Sequence, residues 1–236
     1  MAPFEYKVCS VGNRGVGKTR VVLRFITRQF YSDEEMDRAP EDDTYRERIQ
    51  IAVDDDDDDN HEDNGGSKSD NSLYHVNELQ QQPKQKREES VRLYIWDGYP
   101  QYDGEQLPLI QQYWTRADGF LLFFSLVDRH SLTDTVKYLY MIERTMDEPN
   151  IENIPIVLVG CKYDMETERV ITTEEAMDFA RDHKLRYVEV SAKTGHNVDQ
   201  CFHMLARKMV KRENMRTTKK MANPTKLEHS KRCTIQ

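Results

Sequence analysis

The sequence has few cysteines and no long apolar run, and each absence excludes a class of protein. Its 236 residues include four cysteines with no C-x-x-C pair and no Cys/His cluster, so neither a disulfide framework nor a zinc site is expected. The longest apolar stretch, Gly119–Val127, is far too short to span a bilayer. The amino terminus lacks a basic region followed by an apolar run, and residue 2 is alanine. We therefore expect neither a signal peptide nor N-myristoylation.

The charge of the chain is unevenly distributed. The net charge is −8, but residues 54–89 are strongly acidic and begin with six consecutive aspartates, whereas residues 207–236 are strongly basic. The acidic segment has too little apolar surface to offset its ordering entropy, so we interpret it as a disordered insertion. It lacks the spacing of an EF-hand loop, which favours a solvated acidic loop over calcium binding. An acidic body with a basic arm indicates no nucleic-acid partner, although the arm could meet an anionic membrane.

Apolar strand-like segments alternate with amphipathic helices along the rest of the chain. The patterns predict strands at Val8–Val11, Tyr45–Val53, Val91–Asp97, Gly119–Leu126, Ile154–Gly160 and Tyr187–Val190. They predict helices at Val21–Phe30 and Ser131–Met146, a third opened by the capping box Thr172-x-x-Glu175, and a last one with an apolar stripe from Val198 to Met209. In Ser131–Met146 the stripe consists of Leu132, Val136, Leu139 and Ile142.

This alternation predicts an α/β fold with a doubly wound, mostly parallel sheet flanked by helices, which binds ligands at the carboxyl ends of its strands. Residues 5–53 plus 90–212 are expected to form one domain. Residues 54–89 are the insertion, and 213–236 are a basic tail.

A glycine-rich loop follows the first predicted strand and precedes a helix. It fits G-x-x-x-x-G-K-[ST] at Gly12, Asn13, Arg14, Gly15, Val16, Gly17, Lys18 and Thr19. In such a loop, backbone N–H groups and the helix N-terminus face phosphate oxygens. Lys18 would neutralise the β- and γ-phosphates, and the Thr19 hydroxyl would ligate Mg²⁺. The loop therefore predicts binding of a nucleoside triphosphate.

Further segments follow this loop in a fixed order. They are Asp42–Arg46 (DDTYR), Val91–Asp97 (VRLYIWD), Cys161–Asp164 (CKYD), Ser191–Lys193 (SAK) and a carboxyl-terminal C-a-a-X box, Cys233–Gln236 (CTIQ). In this order they resemble the Ras branch of the Ras superfamily of small GTPases, over residues 5–53 and 90–236. The resemblance implies a P-loop small G domain that binds GTP or GDP with Mg²⁺.

The resemblance assigns a role to each residue that would read the base. Asp164 would accept hydrogen bonds from guanine N1–H and the 2-amino group, donors that adenine lacks. The Lys162 stem would pack along the base, and the backbone N–H groups of Ala192 and Lys193 would meet the guanine carbonyl. Phe30 matches the aromatic that stacks edge-on over the base.

On the phosphate side, Asp97 matches the aspartate near Mg²⁺, and Gln101 matches the glutamine that positions the attacking water. Four positions depart from the family pattern. Cys161 replaces the asparagine of N-K-x-D, and Pro100, which has no N–H, stands where D-x-x-G has glycine. Pro40 falls near the expected Mg²⁺-binding threonine, and Arg14 crowds the phosphate loop. These departures predict slow hydrolysis and weak switching.

The tail carries a basic run before Cys233, consisting of Lys211, Arg212, Arg216, Lys219, Lys220, Lys226, Lys231 and Arg232. A C-a-a-X box ending in Gln236 predicts a farnesyl group on Cys233, and the basic run supplies a second membrane signal. We expect a monomer anchored on the cytoplasmic face of the plasma membrane or an endomembrane. It would bind effector, exchange and activating proteins through its effector and switch loops. A non-catalytic scaffold with structural or no nucleotide is the alternative, whereas Asp164 and the C-a-a-X box disfavour a P-loop kinase or ATPase.

Overall fold

The computed structural model describes residues 3–40, 42, 44–53, 87–97 and 107–222. The strands are β1 (Phe4–Val11), β2 (Thr44–Val53), β3 (Arg87–Trp96), β4 (Gly119–Ser125), β5 (Ile156–Cys161) and β6 (Arg186–Val190). The helices are α1 (Lys18–Thr27), α2 (Leu107–Trp114), α3 (Arg129–Thr133), α4 (Thr135–Met146), α5 (Thr173–Asp182) and α6 (Val198–Ala222). Within these ranges, no helix is both long enough and apolar enough to cross a membrane.

One sheet contains all six of these strands in the order β2-β3-β1-β4-β5-β6. Only the β2–β3 pair is antiparallel, and the other four pairs are parallel. The predicted mostly parallel α/β sheet is therefore confirmed. Parallel neighbours place the carboxyl ends of β1, β3, β4, β5 and β6 at one edge of the molecule, which is where an open sheet of this kind binds ligands.

Apolar side chains fill both faces of the sheet. One core lies between the sheet and helices α1 and α6, where the Phe25 and Phe202 rings stack with centroids 3.8 Å apart. The second core lies against α2, α4 and α5 on the opposite face. Every residue of β4 is buried, as its unbroken apolar sequence predicts for a strand covered on both sides. The N-cap half of the predicted capping box is confirmed, because the Glu175 N–H donates to the Thr172 hydroxyl at 3.1 Å, whereas the Glu175 carboxylate pairs with Arg129.

The predicted helix Ser131–Met146 is wrong as a single helix. The chain divides at Asp134 into α3 and α4, although Asp134 itself has helical backbone angles, φ −68° and ψ −19°. The buried stripe also differs from the predicted one, because Val136 is 45% exposed and Thr135 and Tyr138 are buried instead. Helix α1 also ends at Thr27, before the predicted end at residue 30, because Arg28 takes a left-handed conformation with φ 62°.

Two segment boundaries differ from those predicted. Residues 87–89, assigned to the acidic insertion, form the start of β3 and pair with residues 51–53 of β2. Their polar side chains hid the strand, because an edge hairpin can pair its backbones without burying both faces. Helix α6 extends past residue 212 to Ala222, and residues 214–218 of this extension are exposed.

Candidate nucleotide-binding site

The phosphate loop connects the end of β1 to the start of α1 at the carboxyl edge of the sheet. Three glycines there have positive φ: Gly12 at 141°, Gly15 at 79° and Gly17 at 113°. A Cβ atom added to Gly12 would lie 2.2 Å from the carbonyl oxygen of Phe123 in β4. Any side chain at position 12 would therefore force the loop or β4 to shift, and β4 fixes the path of the loop as it leaves β1.

Lys18 is the cation of this loop and is only 4% exposed. Its ammonium donates to the carbonyl oxygens of Gly12 at 2.9 Å and Asn13 at 2.7 Å. Burial lowers the pKa of Lys18, and the nearby charge of Asp97 opposes that shift. A buried ammonium at the N-terminus of a helix, inside a loop of open backbone, fits a bound polyphosphate.

A side-chain clamp that sequence reasoning missed holds the phosphate loop. The Asn13 amide donates to the Asp134 carboxylate at 2.7 Å and accepts from the Tyr138 hydroxyl at 2.9 Å. Asp134 lies between α3 and α4, and Tyr138 lies in the first turn of α4, so this part of the chain holds the loop from one side. Arg14, the next residue, is exposed. No local signal in the sequence indicated this clamp, because both partners of Asn13 lie more than 120 residues away in the chain.

The candidate Mg²⁺ residues lie beside Lys18. Thr19 is in the first turn of α1, and Asp97 directly follows β3 and is 5% exposed. The Asp97 carboxylate accepts a hydrogen bond from the Ser10 hydroxyl of β1, a partner that the sequence did not indicate. The described residues contain no cluster of three or more His, Cys, Asp or Glu side chains. A hydroxyl and a carboxylate are hard oxygen donors, which fit Mg²⁺ when phosphate oxygens complete its coordination.

Cys161 ends β5 directly behind the phosphate loop. Its sulfur lies 3.7 Å from the position that a Cβ on Gly17 would take. Cys161 is 1% exposed, and burial raises the pKa of its thiol to about 12. The position predicted to read the base thus also contacts the phosphate loop, but through a protonated thiol that is a weak hydrogen-bonding group.

The structure brings the CKYD and SAK segments together. The Ser191 hydroxyl donates to the Asp164 carboxylate at 2.6 Å and accepts from the Thr194 N–H at 3.1 Å. Lys162 has φ 67°, which turns the chain out of β5. The exposed Tyr163 ring stacks on His196 with centroids 4.5 Å apart. Two loops that follow neighbouring parallel strands are therefore joined through Asp164.

The other residues predicted to contact the base have fewer specific interactions in the structure. Ala192 packs against the core and Lys193 is exposed. Phe30 is half-buried in the loop after α1, and the Arg20 guanidinium lies 5.8 Å from its ring centroid. Gln101, Pro100 and Cys233 lie outside the described residues.

The effector segment enters the sheet next to Asp97. Thr44 begins β2 and pairs with Trp96, the residue before Asp97. The Tyr45 hydroxyl donates to the carbonyl oxygen of Pro40 at 3.0 Å, which ties the start of β2 to the preceding loop. Thr44 and Pro40 are both exposed.

Comparison with known proteins agrees with this geometry. The model of the Ras family matches residues 67–211, which is more than half of the chain. The chain belongs to the Ras family of small GTPases. Proteins of this family bind guanine nucleotide with Mg²⁺ and interact with effector, exchange and activating proteins.

Individual relatives extend the match to the amino-terminal part of this Ras-family chain. The Ras-related protein O-RAL of Diplobatis ommata is 30% identical over 233 residues, covering 98% of this chain and 93% of the relative. The Ras-like protein RAS2 of Hydra vulgaris is 29% identical over 231 residues, covering 98% and 96%. The GTP-binding protein Rit2 of Mus musculus is 29% identical over 216 residues, covering 89% and 77%.

Proposed function

We propose that this Ras-family chain is a lipid-anchored signalling protein that binds guanine nucleotide and hydrolyses GTP slowly. The observation that carries the proposal is the Asp164–Ser191 hydrogen bond, at the same sheet edge as the buried Lys18. Ser191 orients a carboxylate that can accept from guanine N1–H and the 2-amino group. An adenine base offers neither donor there and would leave that carboxylate unsatisfied.

The residues near the phosphates support binding better than they support turnover. Lys18 can exchange its two loop carbonyls for phosphate oxygens, and Thr19 and Asp97 would hold Mg²⁺, which supplies charge neutralisation for phosphoryl transfer to water. The exposed Pro40 offers no hydroxyl to that ion, so the effector loop lacks one contact that would sense the γ-phosphate. Arg14 adds a long side chain beside the attack path. Gln101 is the proposed water-positioning residue.

Calorimetry with GDP, GTP and ATP tests base recognition. We expect the guanine nucleotides to bind and ATP to give no measurable heat. Asp164→Asn should weaken GDP binding by about 2 kcal/mol, or roughly thirtyfold, because a hydrogen bond to a charged group is lost. Asp178→Asn is the matched control, since Asp178 lies on the exposed side of α5 and pairs with Arg181. Equal GDP affinity in the two variants would contradict the role of Asp164.

Single-turnover GTP hydrolysis tests the slow switch. The native chain should hydrolyse GTP slowly and show little Mg²⁺-dependent preference for GTP over GDP. Pro40→Thr restores a hydroxyl worth about 1 kcal/mol, so it should raise the GTP preference about fivefold. Arg14→Gly should raise the hydrolysis rate. Rapid GTP turnover by the native chain would refute the proposal that these residues slow hydrolysis.

Lipid anchoring is tested through Cys233. We expect Cys233→Ser to release the protein from the cytoplasmic face of cell membranes, whereas Ser230→Ala should leave it bound. The basic tail alone is too weak for stable attachment, because it supplies one of the two signals that anchoring needs. A Cys233→Ser protein that stays on membranes would exclude prenylation as the anchor.

A scaffold of the same fold, with structural nucleotide or none, is the second candidate, favoured by the replacement of asparagine with Cys161. Mass spectrometry of the co-purifying nucleotide separates the two. GTP alone indicates slow turnover, mixed GTP and GDP indicates a working cycle, and no nucleotide indicates the scaffold.

A further inference from the structure

A basic groove lies at the end of the sheet opposite the nucleotide loops. It has a volume of about 360 Å³ and lies between α6 and the segment that joins α4 to β5. Six cationic side chains line it: Arg186, Arg207, Lys208, Lys211, Arg212 and Arg216. Among the residues that the structure describes, two acidic side chains line it, Glu148 and Glu152, so the described lining carries an excess of positive charge.

The positive charges in the groove are crowded. Arg212 is half-buried, and burial together with the repulsion of Arg216 lowers its pKa. Of the two acids, Glu152 already pairs with Lys184 outside the groove, at 2.9 Å. An added anion would relieve this repulsion, because like charges at short range destabilise one another. The groove therefore has the electrostatics of a polyanion site.

The chain itself contains a polyanionic segment that begins next to the groove. Val53, the last residue of β2, lines the groove, and the next six residues are Asp54–Asp59. Six extended residues reach about 20 Å. The cationic stretch of α6 from residue 207 to residue 216 is about 14 Å long. The acidic run thus begins at the groove and is long enough to cover it.

We propose that Asp54–Asp59 docks in the basic groove against α6 and so occupies an anion site on the face away from the nucleotide loops. Each ion pair at such a surface contributes little, so the docked state depends on several pairs together and is weakened by salt. Displacement of the run would expose the groove to other polyphosphates or anionic lipid. The inference stands independently of nucleotide binding.

A nitroxide label placed at residue 60 tests this contact. The label is introduced by Asn60→Cys in a full-length Cys233→Ser background, since Cys9, Cys161 and Cys201 are buried. At low salt we expect the label to remove the amide NMR signals of residues 207–216. Changing all six aspartates to asparagine should restore those signals.

A matched pair of charge variants separates docking from the mere proximity of a tethered segment. Arg207→Gln with Arg216→Gln should restore the α6 signals, because both side chains line the groove. Arg116→Gln with Arg144→Gln removes the same charge from exposed positions elsewhere and should leave the broadening intact. Equal broadening in every variant, or none in the parent chain, would overturn the proposal.

Inositol hexakisphosphate provides the second readout. A tethered run that occupies the groove about nine-tenths of the time weakens a competing ligand about tenfold, so neutralising the aspartates should tighten hexakisphosphate binding by about that factor. The Arg207→Gln, Arg216→Gln chain should bind it weakly in either background. If the parent and the asparagine variant bind it equally, the groove is a polyphosphate or lipid site that the acidic run does not occupy, and the proposal is wrong.

Discussion

Replacing Cys161 with asparagine tests whether the end of β5 contacts both the base and the phosphate loop. The side chain is 1% exposed, and its sulfur lies 3.7 Å from the Cβ position of Gly17, so asparagine, of similar volume, would fill the same space. Its amide can donate to the purine N7, which a protonated thiol does only weakly. One such hydrogen bond contributes about 1 kcal/mol, so GDP should bind about fivefold more tightly.

The same substitution should destabilise the nucleotide-free protein. A buried amide without a partner costs about 1–3 kcal/mol, and in a domain of this size each kcal/mol lowers Tm by about 2–4 °C. The expected signature is therefore a lower Tm without nucleotide combined with a tighter GDP complex. Calorimetric titration and thermal unfolding with and without GDP measure the two effects.

Cys161→Ala is the control, because it removes the sulfur without supplying an amide. It should lower Tm through the cavity it leaves and should not improve GDP affinity. If Cys161→Asn binds GDP no more tightly than Cys161→Ala, residue 161 does not contact the base, and the reasoning from its position fails.

Three further changes test the site and the framework that supports it. Gly12→Ala should destabilise the fold by about 2–3 kcal/mol, as measured by urea unfolding, because the new methyl group meets a carbonyl oxygen of β4 at 2.2 Å. Asn13→Ala breaks two hydrogen bonds and should cost about 2 kcal/mol, Tyr138→Phe breaks one of them and should cost about 1 kcal/mol, and the two costs should be non-additive in a double-mutant cycle because that bond is shared. Arg169→Met should cost about 3 kcal/mol at pH 7, because it leaves the Glu189 carboxylate buried without its cation.

The pH dependence of the free energy of unfolding provides a further test of the Arg169→Met prediction. Burial raises the pKa of Glu189, but hydrogen bonds from Arg169 and Tyr187 outweigh it, and the net pKa lies below the ordinary value. The native pair therefore stabilises fully above about pH 4.3 and loses this contribution as the pH falls further. Without Arg169, burial dominates, so the variant should lose stability as the pH rises above about 4.3. Parallel pH profiles for the two proteins would contradict this assignment.

The other two changes have their own controls. Gly15→Ala should cost less than Gly12→Ala, because a methyl group at Gly15 meets nothing within 4 Å and only its positive φ opposes the change. Equal losses would show that packing against β4 is unimportant. Additive costs for Asn13→Ala and Tyr138→Phe would show that the two residues act independently.

Local sequence patterns predicted the parts of this fold that depend on local physics. The apolar run of β4, the helix N-cap at Thr172 and the glycine spacing of the phosphate loop each reflect a short-range requirement, and the structure places strand, helix and loop accordingly. The Ser10–Asp97 hydrogen bond and the Asn13 clamp join residues far apart in the chain. No local pattern encodes such pairs.

The errors have the same origin. The stripe through Val136 has helical spacing, but packing buries Thr135 and Tyr138 and leaves Val136 45% exposed. The start of β3 carries Arg87 and two glutamates, so its composition resembles that of the acidic segment. Only its backbone pairing with β2 identifies it as a strand. Tertiary contacts override propensity at both places.

The β2–β3 hairpin also separates the acidic segment from the phosphates. Its ten-residue strands hold Thr44 beside Trp96 at one end and Val53 beside Arg87 at the other, about 30 Å away. The two ends of the 54–86 segment are thus fixed as neighbours by backbone pairing. Loop-closure entropy grows only with the logarithm of length, so each doubling of the segment costs only about 0.6 kcal/mol. This end of the hairpin can therefore accept an inserted segment of variable size and composition while the nucleotide loops keep their geometry.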